Sequence, residues 1–411
     1  MKNKHVLYLS YDGMTDPLGQ SQVLPYLVSL SKKGYRFSLV SFDKPDRFEL
    51  NNGIIQKIVD EAGIKWYPQV YHKSPPILST LYDIRKLKKV CEIIYKKDPY
   101  SIVHCRGYIT PFAALEVKKK YSVKFLFDIR GFWPDEKVEG KDWNIKNPAY
   151  RAVYNYFKKK EVEFYNAADH SICLTYKGRD ILHKRDSIAN QPVPIEVIPC
   201  CVDLDLFNPD NINFEEQQKL RSELGISEQD FIISYLGSIG TWYMLDEMLE
   251  FFSLLKAKKT NAKFLFITGD NADNIKKVAS KYNISHNDII ITRAPRNTVP
   301  LHLSLSNVSI FFIAPVYSKQ ASSPTKQGEI MGMGIPLICN DGIGDTSKVV
   351  RDYNGGAVLE AFNQASYLKI INKIDRICNL DKYEIRKGAK EFYALEIGVS
   401  RYKMIYEKLV G

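Results

Sequence analysis

Short apolar runs alternate with helical patterns along this chain, and the alternation starts afresh after residue 200. Residues 6–10, 37–42, 102–104 and 124–129 are dense in Val, Ile, Leu, Phe and Tyr and are short enough for buried strands. Between them come the helical spacing of Val23, Leu24, Leu27 and Leu30, a stop at Gly34, and helical stretches at 54–62, 81–97 and 113–120. Beyond residue 200, strands at 231–236, 263–268, 289–292, 308–313 and 336–339 are interleaved with helices at 245–258, 275–282 and 328–332. Such a rhythm implies a parallel sheet covered on both faces. Two rounds of it imply two doubly wound α/β domains, a division that 411 residues accommodate. Ligands of such sheets bind beyond the carboxyl ends of the strands, here expected in a cleft between the domains. The join is expected at Val197-Ile198-Pro199-Cys200-Cys201-Val202-Asp203, giving domains of 1–198 and 199–397. A last helix over about 367–409, broken near Gly398, would send residues 398–411 back onto the first domain.

Composition narrows the class. Apolar residues make up 45% and charged residues 26%, which excludes a disordered, collagen-like or disulfide-rich chain. The net charge of +11 is unevenly placed: residues 1–200 hold 33 Lys and Arg against 22 Asp and Glu, and residues 201–411 hold 25 of each. The first half is therefore suited to an anionic partner such as a phosphorylated substrate or a membrane surface, or is simply made soluble by its charge. Seven cysteines without any CxxC imply reduced thiols and a cytoplasmic setting. The apolar run 6–9 after Met1-Lys2-Asn3-Lys4 is too short for a signal peptide, and no apolar run approaches the ~20 residues of a membrane span. Any membrane contact would be peripheral. Residues 80–97 combine an apolar stripe of Leu81, Ile84, Leu87, Cys91 and Ile94 with six Lys and Arg, and residues 151–165 are similar. Each stripe either packs on the sheet or docks on anionic lipid headgroups. Nucleic acid is not expected, because no recognition motif accompanies the charge.

The most informative segment is Ser322-Ser323-Pro324-Thr325-Lys326-Gln327-Gly328-Glu329. Ser323 is expected as N-cap and Pro324 as first helical residue. Free N–H groups and the helix dipole there favour an anion, typically phosphate, with Lys319 and Lys326 adding charge. Glu329 could accept two hydroxyls of a ribose. Gly237-Ser238-Ile239-Gly240-Thr241 follows a strand directly, and its glycines allow backbone to approach a phosphate. Asp12-Gly13 and Leu18-Gly19-Gln20-Ser21 do the same in the first domain. His104-Cys105-Arg106-Gly107 and Asp128-Ile129-Arg130-Gly131 end strands, so His104, Asp128 and Arg130 are cleft candidates; Asp128 and Arg130 could equally form a structural ion pair. Asp203-Leu204-Asp205 resembles a metal signature but falls in the connector. No HExxH, GxSxG, GxxxxGK[ST] or GxGxxG occurs, which argues against zinc, a hydrolase elbow, a P-loop and a dinucleotide-binding dehydrogenase.

These landmarks, with Pro17-Leu18-Gly19-Gln20-Ser21-Gln22, Tyr235-Leu236-Gly237 through Tyr243, and Gly334-Ile335-Pro336, resemble in order the group 1 family of retaining glycosyltransferases with the GT-B fold, especially bacterial enzymes of surface-polysaccharide synthesis. The resemblance covers nearly the whole chain. It implies two Rossmann-like domains facing a cleft, a nucleoside-diphosphate sugar (a UDP-sugar by expectation) as donor, and a glycan or polyprenyl-linked acceptor. The second domain would bind the donor: Glu329 on the ribose, Ser322, Ser323, Pro324 and Thr325 on the sugar and diphosphate, the base near Arg293, Ala294 and Pro295, and Gly237 and Ser238 close by. The first domain would take the acceptor, with Gly19, His104 and Arg130 facing the reacting sugar. No cofactor and no metal are implied. Two departures stand out: Ala321 occupies the place of a glutamate eight positions before Glu329, and residues 237–243 lack Arg and Lys, leaving Lys319 and Lys326 as replacements. A nucleotide-sugar epimerase of the same fold and a catalytically silent nucleotide-binding scaffold are the alternatives.

Overall fold

A computed structural model describes residues 4–189 and 191–411; Met1-Lys2-Asn3, named above, lie outside the described residues. The chain forms two compact units, one of Met1–Pro199 with Leu395–Gly411, the other of Cys200–Ala394.

The first unit is built on seven parallel strands: β1 His5–Ser10, β2 Arg36–Asp43, β3 Lys65–Val70, β4 Ile102–Arg106, β5 Lys124–Asp128, β6 His170–Cys173 and β7 Ile195–Val197. Their spatial order is β3-β2-β1-β4-β5-β6-β7. β1 and β4 are buried throughout; in β1 this is why Val6-Leu7-Tyr8-Leu9 reads as a continuous apolar run rather than an alternating one, while β4 buries His104 and Arg106 as well. Helices Pro45–Glu61, Pro111–Tyr121 and Pro148–Ala167 each carry Pro in the first turn, where a missing N–H costs nothing. In helix Leu78–Lys97 the stripe residues Ile84, Leu87, Cys91 and Ile94 are buried, so the stripe packs inward, while Leu81 is 43% exposed. Helix Leu395–Val410 packs on helix Leu24–Lys32 and on β4.

The second unit holds β8 Phe231–Leu236, β9 Ala262–Ile267, β10 Ile289–Thr292, β11 Val308–Phe311, β12 Leu337–Asn340 and β13 Gly356–Leu359, all parallel, in the order β10-β9-β8-β11-β12-β13. In both sheets the chain winds one way from the first strand and then the other, so the order reverses beside β1 and beside β8. The crevice at such a reversal, beyond the carboxyl ends of the strands, is where these sheets hold ligands.

The single long C-terminal helix is a correction. Residues 364–410 form four helices, Gln364–Ile371, Ile374–Cys378, Lys382–Phe392 and Leu395–Val410. Asp381 caps the third by accepting the N–H of Tyr383, and Gly398 lies buried inside the fourth rather than breaking it.

Candidate functional site

In the second unit the loops leaving β8, β9, β10 and β11 meet at the reversal. Gly237 ends β8 with φ +99°, a conformation that favours glycine, and a Cβ there would lie 3.3 Å from Lys326 Nζ. Residues 242–244 run beside 312–314: Met244 N–H donates to Phe312 O, and Ala314 N–H to Trp242 O. The Asp270 carboxylate, after β9, accepts the N–H of Ile239 in the β8 loop. Arg293, exposed after β10, lies alongside Gly269, and Ala294 is half-buried. Ser238 is exposed, and its carbonyl accepts the Tyr235 hydroxyl at 2.6 Å.

Helix Thr325–Gly332 enters this crevice with Pro324 at the N-cap and no side chain capping its first N–H groups. That corrects the expected cap. Ser323 Oγ accepts the N–H of Cys200 at 3.2 Å instead, so the helix start keeps its donors for another acceptor. Ser322 N–H donates to Lys319 O. Lys319 is buried, with Nζ 3.8 Å above the Trp242 ring, and its carbonyl accepts the N–H of Gly344. Lys326 is buried too: Nζ donates to Tyr235 Oη at 2.9 Å and lies 3.6 Å from the Tyr243 ring centre. Burial holds its amine well below the ordinary value, so it is not the simple surface charge its sequence position implies. Glu329 is buried and bidden for by Arg296, whose Nη1 donates to Oε1 at 2.8 Å. Arg296, Asp270, Trp242 and Tyr243 carry no role in the sequence reading. Arg296 follows the Arg293–Pro295 stretch directly, which is the one signal that could have found it.

The first unit gathers a different cluster beside β1. In register, Tyr8 faces His104 and Arg106 faces Asp128. Asp128 is fully buried. Its Oδ2 accepts the Tyr402 hydroxyl at 2.9 Å and lies 3.6 Å from His104 Nε2, and its Oδ1 lies 3.8 Å from Arg130 Nη1. Burial works to raise its pKa, but Arg130, with His104 and Arg106, outweighs that and holds the carboxyl below the usual range. Arg130 sits at φ +57°, a backbone conformation costing a non-glycine residue ~1–3 kcal/mol, and its Nη2 donates to Gln22 Oε1 at 3.5 Å.

His104 is 1% exposed, boxed in by Tyr8, Tyr402 and Tyr406, with Nδ1 2.7 Å from the Tyr406 hydroxyl. Burial lowers its pKa. Residues of its own unit enclose it, and its Nε2 lies beside the Asp128 carboxylate. Gly19 is buried in the short helix Pro17–Gln22, where a Cβ would come within 2.3 Å of Gly13 O, so the close approach of this helix to the loop after β1 requires the glycine. Asp203 Oδ1 accepts the N–H groups of Asp205 and Leu206, the mark of a turn.

Residues 216–390 match the family described as Glycosyl transferases group 1, and residues 22–206 the one described as Glycosyltransferase Family 4. The chain is 22% identical over 337 residues to EpsD of Bacillus subtilis (strain 168), a glycosyltransferase by name, across 78% of this chain and 79% of that one. In fold it is similar to a glycosyltransferase from Rickettsia africae ESF-5 (TM-score 0.73, 17% identity, 99% of each chain). It is also similar to Anabaena HepE, solved with UDP and glucose (TM-score 0.69, 10% identity, 98% of this chain and 99% of that). Matches to glycosyltransferase families on both halves, set on two Rossmann-like sheets of the GT-B kind, place this chain in the group 1 glycosyltransferases.

Proposed function

We propose that this glycosyltransferase moves a hexose, with retention of configuration, from a UDP-sugar to a glycan or lipid-linked acceptor in surface-polysaccharide synthesis. The observation that carries the donor half of this reading is the uncapped start of helix Thr325–Gly332 with the carboxylate of Glu329 one turn inside it. Backbone N–H groups at a helix start suit a diphosphate, and a carboxylate suits a vicinal diol. Lys319 and Lys326 supply the cationic groups that the 237–243 loop lacks, Gly237 leaves room for a phosphate oxygen, and Arg293 and Ala294 border the place of the base. HepE, with its bound UDP and glucose, lends support to UDP as the nucleotide.

On this reading the chemistry is electrostatic. Charge that develops on the departing diphosphate is met by donors already in place, and the acceptor hydroxyl gives its proton to a donor phosphate oxygen on the same face. Asp128 keeps Arg130 in place to orient the acceptor or the phosphate, and no residue need act as a covalent nucleophile. The acceptor side belongs to the first unit. There Ile77, Leu78, Leu81 and Tyr82 are exposed next to Arg85, Lys86 and Lys89, a mixture suited to anionic headgroups at a membrane face. Among the described residues no helix is long and apolar enough to cross a membrane.

Glu329→Ala tests the donor assignment. The variant is expected to lose sugar transfer and to bind UDP more weakly, while folding as before; a wild-type transfer rate would remove the ribose role.

A further inference from the structure

Lys326 occupies the first turn of helix Thr325–Gly332, yet its side chain runs into the protein. Its surroundings are mostly aromatic. From β8 comes Tyr235, whose ring centre is 4.1 Å from Nζ; from the following loop comes Tyr243 at 3.6 Å; from β11 comes Phe311 at 6.0 Å. The Tyr235 hydroxyl donates to Ser238 O, so its oxygen is free to accept from Lys326. Two carboxylates face this amine, and each is engaged elsewhere. Glu329, three residues along the same helix, pairs with Arg296, and Asp270 accepts the Ile239 N–H. Among the described residues no ion pair to Lys326 is formed.

An ammonium withdrawn from water without a paired carboxylate is costly, and cation–π contact offsets only part of that cost. A neutral amine keeps the hydrogen bond to Tyr235 and avoids the penalty. A diphosphate at the adjoining helix start would reverse the balance, since two anionic phosphates beside Nζ favour the charged form. We infer that Lys326 is a neutral amine in the ligand-free protein and takes up a proton from solvent when the diphosphate of a nucleotide settles at this helix start. Binding and protonation are then one coupled event. Affinity falls as pH rises through the range in which the free protein is deprotonated and the complex protonated, by up to about tenfold per pH unit. This inference rests on the proposed nucleotide-sugar reading of the site.

Isothermal titration calorimetry of UDP and of GDP into the full chain tests it. At pH 8, above the range where a terminal phosphate titrates, each titration is run in Tris and again in HEPES. These buffers differ in ionisation enthalpy, so the difference in observed heat counts the protons taken up. The expected result is about one proton per nucleotide bound. In Lys326→Met the uptake disappears and affinity drops by roughly 10–100-fold, the loss of one charge-assisted hydrogen bond. Lys326→Arg, whose guanidinium never releases its proton, loses the uptake as well, so the assignment does not depend on the Met variant folding. Nucleotide binding with the same heat in both buffers would overturn the coupling and leave the nucleotide reading intact. Uptake that persists in both variants would overturn the assignment to Lys326. No binding of either nucleotide would overturn both readings.

Discussion

Tyr402→Phe isolates what the C-terminal helix contributes to the first unit. The substitution keeps the ring and so opens almost no cavity; it removes one hydroxyl, which donates at 2.9 Å to the fully buried carboxylate of Asp128. A hydrogen bond to a buried charge contributes ~1.5–3 kcal/mol. Tyr406→Phe is the internal control. Its hydroxyl meets His104 Nδ1 at 2.7 Å, and burial keeps that imidazole neutral at ordinary pH, so the bond joins two neutral groups and contributes ~0.5–1.5 kcal/mol. At roughly 2–4 °C per kcal/mol for a unit of this size, Tyr402→Phe lowers the transition of the first unit by ~3–12 °C and Tyr406→Phe by ~1–6 °C. Scanning calorimetry of the two variants, with near-UV circular dichroism to follow the tyrosine cluster, reads the difference. A pH series adds a sign. Because the Asp128 carboxyl titrates lower folded than unfolded, its contribution is present above the unfolded carboxylate range and is lost as pH falls through the folded value. The penalty of Tyr402→Phe therefore shrinks in acid. Equal losses for the two variants, or a larger one for Tyr406→Phe, would refute the reasoning that Asp128 is the charged centre of this network.

Other expectations are simpler to check. Gly356→Ala in β13 places a Cβ 2.0 Å from Leu337 O at φ +144°, so denaturant titration should show a loss of ~2–6 kcal/mol; Gly53→Ala, exposed in helix Pro45–Glu61 with nothing within 4 Å, should gain ~0.5–1 kcal/mol. Burial, with a smaller push from Lys408, lowers the His170 imidazole to about 4. The unfolded chain thus takes up this proton first as pH falls from about 6.5 towards 4, and stability drops over that window; His170→Phe should flatten the melting temperature against pH there and change little above pH 7. Arg296→Gln leaves the Glu329 carboxylate buried without its cation, and UDP affinity measured by calorimetry should fall while Arg293→Gln, on an exposed side chain, costs less.

The sequence makes the central strands legible because they are covered on both faces. β1, β5, β8 and β9 each hold a run of three or more apolar residues, and the short β4 opens with Ile102-Val103 before its polar end; the length of these runs suits a buried parallel strand. The edges are another matter. β3 is half-exposed and carries Pro68, β7 has only three residues, and β13 is a four-residue edge strand starting with Gly356, so none presents an apolar run of strand length. The helix start at Thr325 is visible through its Ser, Pro and Thr, but its cap depends on the Cys200 N–H claiming Ser323 from 123 positions away. The enclosure of His104 is equally remote, since Tyr406 reaches it across 302 positions. The pairing of Arg296 with Glu329 spans 33 positions and depends on how the chain turns after β10. Local pattern marks which strand ends carry polar residues; which of them face solvent and which face one another is decided by packing at long range.

A thermal-shift titration across UDP, GDP, CMP, NAD and several UDP- and GDP-sugars tests the central claim most directly, that the crevice beside β8 holds a nucleoside diphosphate. At 100 times its dissociation constant a ligand stabilises the folded protein by about 2.7 kcal/mol, a readily measured shift. The account predicts a saturable rise with UDP and UDP-sugars that is lost in Glu329→Ala. No rise with any nucleoside diphosphate, or a rise that Glu329→Ala leaves unchanged, would contradict it.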